Sequence, residues 1–178
     1  MFKKELYIYE KKLPFTPRLL DHDGKNKLIL EYLDGQNIGE LAEPDFARIA
    51  ELFQRLHNLE QKDGRCICHR DSNPKNYLLA DERYFLIDFS EWEYDFPESD
   101  LIHFLLFWAS ILNRKKFELC FLSFLSSYKK SGYINPVQWE MLIPIKTSEF
   151  DSRRMKFGKI ESNADIIENR EQIKNVYL

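Results

Sequence analysis

The stretch from Cys66 to Asp88 constrains this chain more than any other. It reads Cys-Ile-Cys-His69-Arg70-Asp71-Ser-Asn73-Pro74-Lys75-Asn76, then two apolar runs around a polar turn, Asp81-Glu-Arg83, ending at Ile87-Asp88. The pattern predicts a strand over Arg65 to Cys68, a tight polar loop, and a hairpin with arms at Tyr77 to Leu79 and Tyr84 to Ile87. An Asp five residues ahead of an Asn lets one carboxylate reach a hydroxyl while the carboxamide reaches a metal. A second Asp at the end of the next hairpin can bridge that metal to phosphates. Phosphoryl transfer needs such an arrangement, because its catalysis is mostly positioning and charge neutralisation. The bland reading makes His69, Asp71 and Asn76 turn formers in a polar loop. Context argues for chemistry: the hairpin, Ile87-Asp88, and Asp100-Leu101 opening an apolar helix all agree.

These residues resemble the catalytic loop and metal-binding Asp of the protein-kinase-like superfamily, and within it the branch of aminoglycoside and choline kinases. The resemblance implies an α+β, protein-kinase-like fold with a truncated N-terminal lobe and a mainly helical C-terminal lobe. The division falls at residues 1–36, a remnant of the small lobe and hinge, and 37–178, the helical lobe with the catalytic loop. It further implies ATP and magnesium as cofactors and a small-molecule hydroxyl as acceptor. Asp71 would be the catalytic base, Asn76 and Asp88 would hold magnesium, and Lys75 would approach the transferred phosphate. The backbone at Glu31, Tyr32 and Leu33 would hold adenine. Glu5 matches the helix glutamate that normally pairs with a strand lysine, and Asp100 an Asp that holds the catalytic-loop backbone from below.

In chain order, Phe2, Leu6, Tyr9 and Leu13 recur at helical spacing until Pro14. Pro17 to Leu20 and Lys27 to Leu33 read as strands around the turn Asp23-Gly24-Lys25-Asn26. Asn37-Ile-Gly-Glu40 looks like a capped helix start, and Pro44 like the first turn of a longer helix. That helix carries Phe46, Ile49, Ala50, Phe53, Leu56 and Leu59, with His57 read as structural. The segment from Phe89 to Ser99 reads as an acidic loop. Leu101 to Leu112 reads as a buried helix, too short to span a bilayer. A helix over Lys115 to Ser131 ends at Gly132. Another runs from Asn135-Pro136 through Met141, and Pro144 separates it from a stretch with Phe150, Arg153, Arg154 and Phe157. Ser162 with Asp165 caps a last helix reaching Tyr177.

Two departures from the family matter. No Gly-rich phosphate loop or strand lysine can be found, and Lys3 and Lys4 do not face Glu5 along the helix. Nor does Asp88 lead into the long activation segment of a protein kinase: only eleven residues lie between it and Asp100. A small-molecule phosphotransferase is therefore the leading reading. A non-catalytic kinase-like binding module or truncated relic is the alternative, and a protein kinase comes after both. The acids from Glu91 to Asp100 either draw a cationic substrate or form a solvated face. Unpaired sheet edges at Pro17 to Leu20 or Lys27 to Leu33 would favour self-association.

Composition closes off other classes. A net charge of -3 leaves no basic footprint for nucleic acid. Three cysteines suit a reducing, cytoplasmic setting rather than a disulfide framework. Cys66-x-Cys68-His69 has the wrong spacing for a usual zinc knuckle and no second Cys/His cluster to complete it, so it reads as a buried strand. No signal peptide or membrane span is visible.

Overall fold

The computed structural model describes residues 2–156, 158 and 163–176. Helix α1 (Phe2–Glu10) buries Ile8 and Tyr9. It is followed by an antiparallel hairpin, β1 (Leu19–His22) and β2 (Leu28–Leu30), which forms a sheet of its own. The first strand starts two residues later than the sequence suggests. The turn is the expected one: Asp23 Oδ1 accepts from the backbone N–H groups of Lys25, Asn26 and Lys27 at 2.9–3.0 Å, and Gly24 sits at φ +73°.

The expected helix at Asn37 is absent. Strand β3 (Gln36–Asn37) pairs instead with β6 (Tyr77–Ala80), and residues 38–40 form a turn. Ile38, fully buried, donates its N–H to the Tyr77 carbonyl, so sheet pairing and burial outweigh the local capping signal. Helix α2 (Phe46–His57) starts at the cap Asp45, whose side chain accepts from Arg48 N–H; Pro44 lies before it. One face of α2 buries Ile49, Ala50, Phe53 and Leu56, as its spacing demands.

Strand β4 (Gln61–Lys62) leads into β5 (Arg65–Cys68), which is also paired by β8 (Glu93–Asp95). Three residues of the acidic segment, Glu93 to Asp95, thus close this sheet rather than lying in a loop. Strand β7 (Arg83–Leu86) completes the hairpin with β6, through Asp81 and Glu82 at φ +47° and +59°. Gly35 crosses this sheet so closely that a Cβ would stand 2.8 Å from the Leu79 carbonyl oxygen.

The remaining described elements are helical: α3 (Pro97–Ala109), α4 (Arg114–Tyr128), α5 (Pro136–Lys156) and α6 (Ala164–Lys174). Helix α5 runs straight through Pro144, where a break was expected. Burial of Trp139, Leu142, Ile143 and Phe150 along it outweighs the backbone bond that proline removes. The cap of α6 is Asn163; Ser162, Phe157 and Tyr177 lie outside the described residues. One buried cluster extends from Ile8 and Tyr9 through Phe53, Phe104 and Phe124 to Ile173. No described helix is long and apolar enough to cross a membrane.

Candidate active site

The loop between β5 and the β6–β7 hairpin is fixed from beneath by one carboxylate. Asp100, fully buried at the start of α3, accepts from the N–H of His69 at 2.6 Å and of Arg70 at 2.8 Å. Those two bonds hold Arg70 in the left-handed region, at φ +70°, a conformation that needs such support in a non-glycine residue. His57 Nε2 meets the same carboxylate at 3.3 Å, and its Nδ1 meets the Tyr128 hydroxyl at 2.8 Å. Burial alone would raise the Asp100 carboxyl; the His57 hydrogen bond and the neighbouring imidazoles hold it below its ordinary value. His57 and Asp100 thus have the structural roles read from the sequence.

His69 itself is buried, and its Nε2 meets the Ile87 carbonyl at 2.9 Å. Its ring packs against Phe89 at 4.7 Å, and Phe89 packs edge-on against Tyr9 of α1 at 5.8 Å. The Tyr9 hydroxyl accepts from Asp88 N–H at 3.3 Å. This column ties α1, the catalytic loop and the end of the hairpin together. Nothing in the local sequence announced it, since each member came from a different element.

Asp71 and Asn76 come together as expected. The Asn76 amide donates to Asp71 Oδ2 at 2.9 Å and to the Asp71 carbonyl at 3.2 Å, which leaves the amide oxygen as the end open to a cation. Asp71 Oδ1 accepts from Asn73 N–H at 3.3 Å. Ile87 N–H donates to the Asn76 carbonyl at 3.0 Å, so Asp88 follows directly beside it. Asp88 is exposed, although it follows an apolar strand. Its backbone is what stands out: φ is +60°, and Oδ1 takes the Ser90 hydroxyl at 2.7 Å. Burial first, and then the Asp88 charge, raise the Glu5 carboxyl. Asp88 and the Asn76 amide oxygen are oxygen donors, the type that suits a hard cation such as magnesium. Among the described residues no ion pair involves Glu5, and Lys4 pairs with Glu93 instead, at 3.1 Å.

Lys75 is exposed on the turn Pro74–Asn76, its N–H on the Asn73 side chain at 3.1 Å. Glu31 spends its carboxylate on Arg18, at 3.1 Å to the guanidinium, and its N–H on the Arg18 carbonyl. The Tyr32 side chain is 85% exposed and Leu33 is half-buried.

Beside Asp71 opens a cleft of about 640 Å³. His103 and Phe107 of α3 and Phe150, Arg153 and Arg154 of α5 line it, residues to which the sequence reading gave no role. Desolvation pushes the His103 pKa down to about 4, so the ring is neutral at pH 7. The acids that were offered for a cationic substrate are engaged. Glu91 meets Arg153 at 2.7 Å, Glu93 meets Lys4, Asp95 meets Arg70 and Lys146, and Glu98 accepts from Asn135 N–H at 2.6 Å.

Comparison with known proteins agrees with this architecture. Residues 11–116 match the model of the phosphotransferase enzyme family. Choline kinase LicA from Streptococcus pneumoniae superposes with a TM-score of 0.63 at 15% identity, over 96% of this chain and 78% of that one. A choline/ethanolamine kinase family protein from Mesorhizobium loti gives 0.61 at 14% identity, over 97% and 77%. An ADP-bound aminoglycoside phosphotransferase gives 0.55 at 13% identity, over 98% and 81%. These likenesses establish the protein-kinase-like fold. A curated protein of Methanosarcina barkeri, described as a "Probable bifunctional tRNA threonylcarbamoyladenosine biosynthesis protein", is 37% identical over 70 residues. That match spans 39% of this chain and only 12% of the relative.

Proposed function

Since the chain belongs to the phosphotransferase enzyme family, we propose that it transfers the γ-phosphate of ATP to a hydroxyl of a small molecule. The observation that carries this reading is the Asp71–Asn76 pair, joined at 2.9 Å on a loop pinned by Asp100. Asp71 orients the acceptor hydroxyl and takes its proton. Asn76 and Asp88 hold magnesium, which when bound neutralises the phosphates. Lys75 approaches the transferred group, and the backbone from Glu31 to Leu33 receives adenine. The acceptor lies in the cleft beside Asp71, with its apolar part against Phe107 and Phe150. The setting is cytoplasmic, and chains associate through the open hairpin β1–β2.

Two measurements test the reading. Turnover of ATP is followed against a panel of hydroxyl-bearing metabolites, for wild type and for Asp71→Asn at matched thermal stability. Loss of the base lowers turnover by about 10²–10⁴-fold; equal turnover refutes the role of Asp71. Calorimetry of an ATP analogue with and without magnesium, repeated on Asp88→Ala, tests the metal site. Equal binding in all four cases refutes it.

A second reading has one observation behind it: Glu5 has no ion-pair partner among the described residues, and in kinases that lysine–glutamate pair must be in place for transfer. The chain would then bind nucleotide without turning it over. Magnesium-dependent binding with no turnover on any acceptor, in wild type and Asp71→Asn alike, distinguishes this binding module from the enzyme.

A further inference from the structure

Strand β5 carries Cys66 and Cys68 on one face, both buried. Their sulfur atoms lie 3.7 Å apart. The Asp95 carbonyl oxygen, brought by the neighbouring β8, is 3.6 Å from the first sulfur and 3.5 Å from the second. These three atoms form a nearly equilateral triangle. His57, the last residue of α2 and likewise buried, brings a ring nitrogen near them, one ligand atom from each of the three side chains lying within 4.8 Å of the others. The sequence separates His57 from the cysteines by a turn and a strand, so the third side chain was invisible in the local spacing.

The sulfur–sulfur and sulfur–oxygen distances match the edges of a tetrahedral site, and the imidazole lies close enough to move in. Zinc–sulfur bonds of about 2.3 Å at a tetrahedral angle put two sulfurs about 3.8 Å apart, and a sulfur and an oxygen about 3.6 Å apart. Two thiolates and an imidazole are donors that suit zinc rather than magnesium. We infer that Cys66, Cys68 and His57 form a second, buried cation site, for a borderline-soft divalent ion such as zinc, with the Asp95 carbonyl oxygen as fourth donor. The site is separate from the oxygen-ligand site at Asn76 and Asp88.

Entry of the ion balances its own charge. Two thiol protons leave to solvent as one divalent cation arrives, so the buried region gains no net charge. His57 Nδ1 is assigned to the ion, because Nε2 would then keep Asp100, now at 3.3 Å, as the carboxylate that orients a metal-bound imidazole. The Tyr128 hydroxyl, now 2.8 Å from Nδ1, gives up that bond. The ion would then join α2, β5 and β8 directly under the loop that begins at His69. Without it, the two thiols donate weakly to the carbonyls of Asp95 and Phe96.

The test is the metal content of the full chain. Protein produced with zinc in the medium is passed through gel filtration and analysed by mass spectrometry of the elements. One zinc per chain is expected, retained by Cys120→Ser and lost from Cys66→Ser/Cys68→Ser. Cobalt added to metal-free wild type should give thiolate charge-transfer absorption and the visible bands of a tetrahedral ion, and a zinc chelator should lower the melting temperature of wild type. The wild-type stoichiometry and cobalt spectrum stand whether or not the double variant folds. No retained zinc, zinc that persists without both thiols, or cobalt spectra lacking a thiolate band would each overturn the site. So would an intact mass showing a Cys66–Cys68 disulfide in the protein as isolated.

Discussion

The loop after β5 and the hairpin β1–β2 hold position by opposite means. Under the loop, one buried carboxylate takes two backbone donors and an imidazole, and the rings of His69, Phe89 and Tyr9 pack tilted and edge-on beside it. The hairpin makes a two-stranded sheet by itself, with Leu20 58% and Ile29 40% exposed. Helix α1 is fastened to the segments around Glu60 and β8 by a half-exposed hub. Glu60 accepts from the Tyr7 hydroxyl at 2.6 Å and from Lys11 and Tyr94, while Trp92 stacks on Tyr7 at 5.2 Å and donates to the Lys4 carbonyl at 2.6 Å. Groups that must stay within tenths of an ångström are built on buried hydrogen bonds, where an unmade bond is costly. The hairpin β1–β2 and the hub on α1 are held by surface contacts, which are worth little singly.

That contrast is broken most directly at Asp100. Asp100→Ala orphans the buried His69 N–H and the part-buried Arg70 N–H, so we expect a loss of about 1–4 kcal/mol in denaturant unfolding. Asp100→Asn, which keeps an acceptor oxygen, should recover part of it. An Ala variant as stable as wild type would mean that the loop holds itself.

His103 sharpens the contrast through pH. Its folded pKa, about 4, lies below the ordinary 6.5, so the unfolded chain takes up a proton first as pH falls between those values. Stability therefore declines over that window and has lost this contribution fully below it. Thermal melts of His103→Gln should show a shallower decline from pH 6.5 to 4 than wild type.

Glu60 should act at lower pH and more weakly, being partly exposed. Hydrogen bonds from Lys11, Tyr7 and Tyr94 hold its pKa at about 2, below the ordinary 4.5. Its stabilisation is complete above pH 4.5 and disappears as pH falls towards 2. Glu60→Gln should remove that part of the acid dependence and raise amide exchange in α1 ahead of exchange in α3, as measured by mass spectrometry.

The smallest effect is expected on the hairpin. Leu20→Lys and Ile29→Lys should change stability by no more than about 0.5 kcal/mol, as exposed substitutions usually do. If chains associate there, the same variants should shift wild-type oligomers to monomer in gel filtration. A large loss of stability would show that the hairpin is held as firmly as the loop.

Much of this molecule could be read along the chain. The strand at Arg65, the hairpin that follows the loop, the Asp23 turn, the stripe of α2 and the place of Asp100 depend on residues close in sequence, or on a spacing that itself sets geometry. Local signals failed where distant partners competed. Asn37 offered a helix cap, but β6 took its segment as a strand. Pro144 offered a break, but four buried side chains kept α5 continuous. Glu93 to Asp95 looked like solvated loop and became the partner of β5.

The sequence by itself determined which residues meet across one short loop, because Asp71 and Asn76 are bound to be neighbours once the chain turns at Asn73 and Pro74. It did not show that β5 is buried on both faces, at Cys66, Ile67 and Cys68 alike. Only the tertiary structure decided what surrounds them: Tyr9 against Phe89 and His69, Arg153 on Glu91, Phe150 across from Phe107, and His57 beside two thiols. Each of these meetings joins elements far apart in the chain. Their cost in chain entropy is met by burial of the whole core rather than by any local pattern, and no local pattern therefore records them.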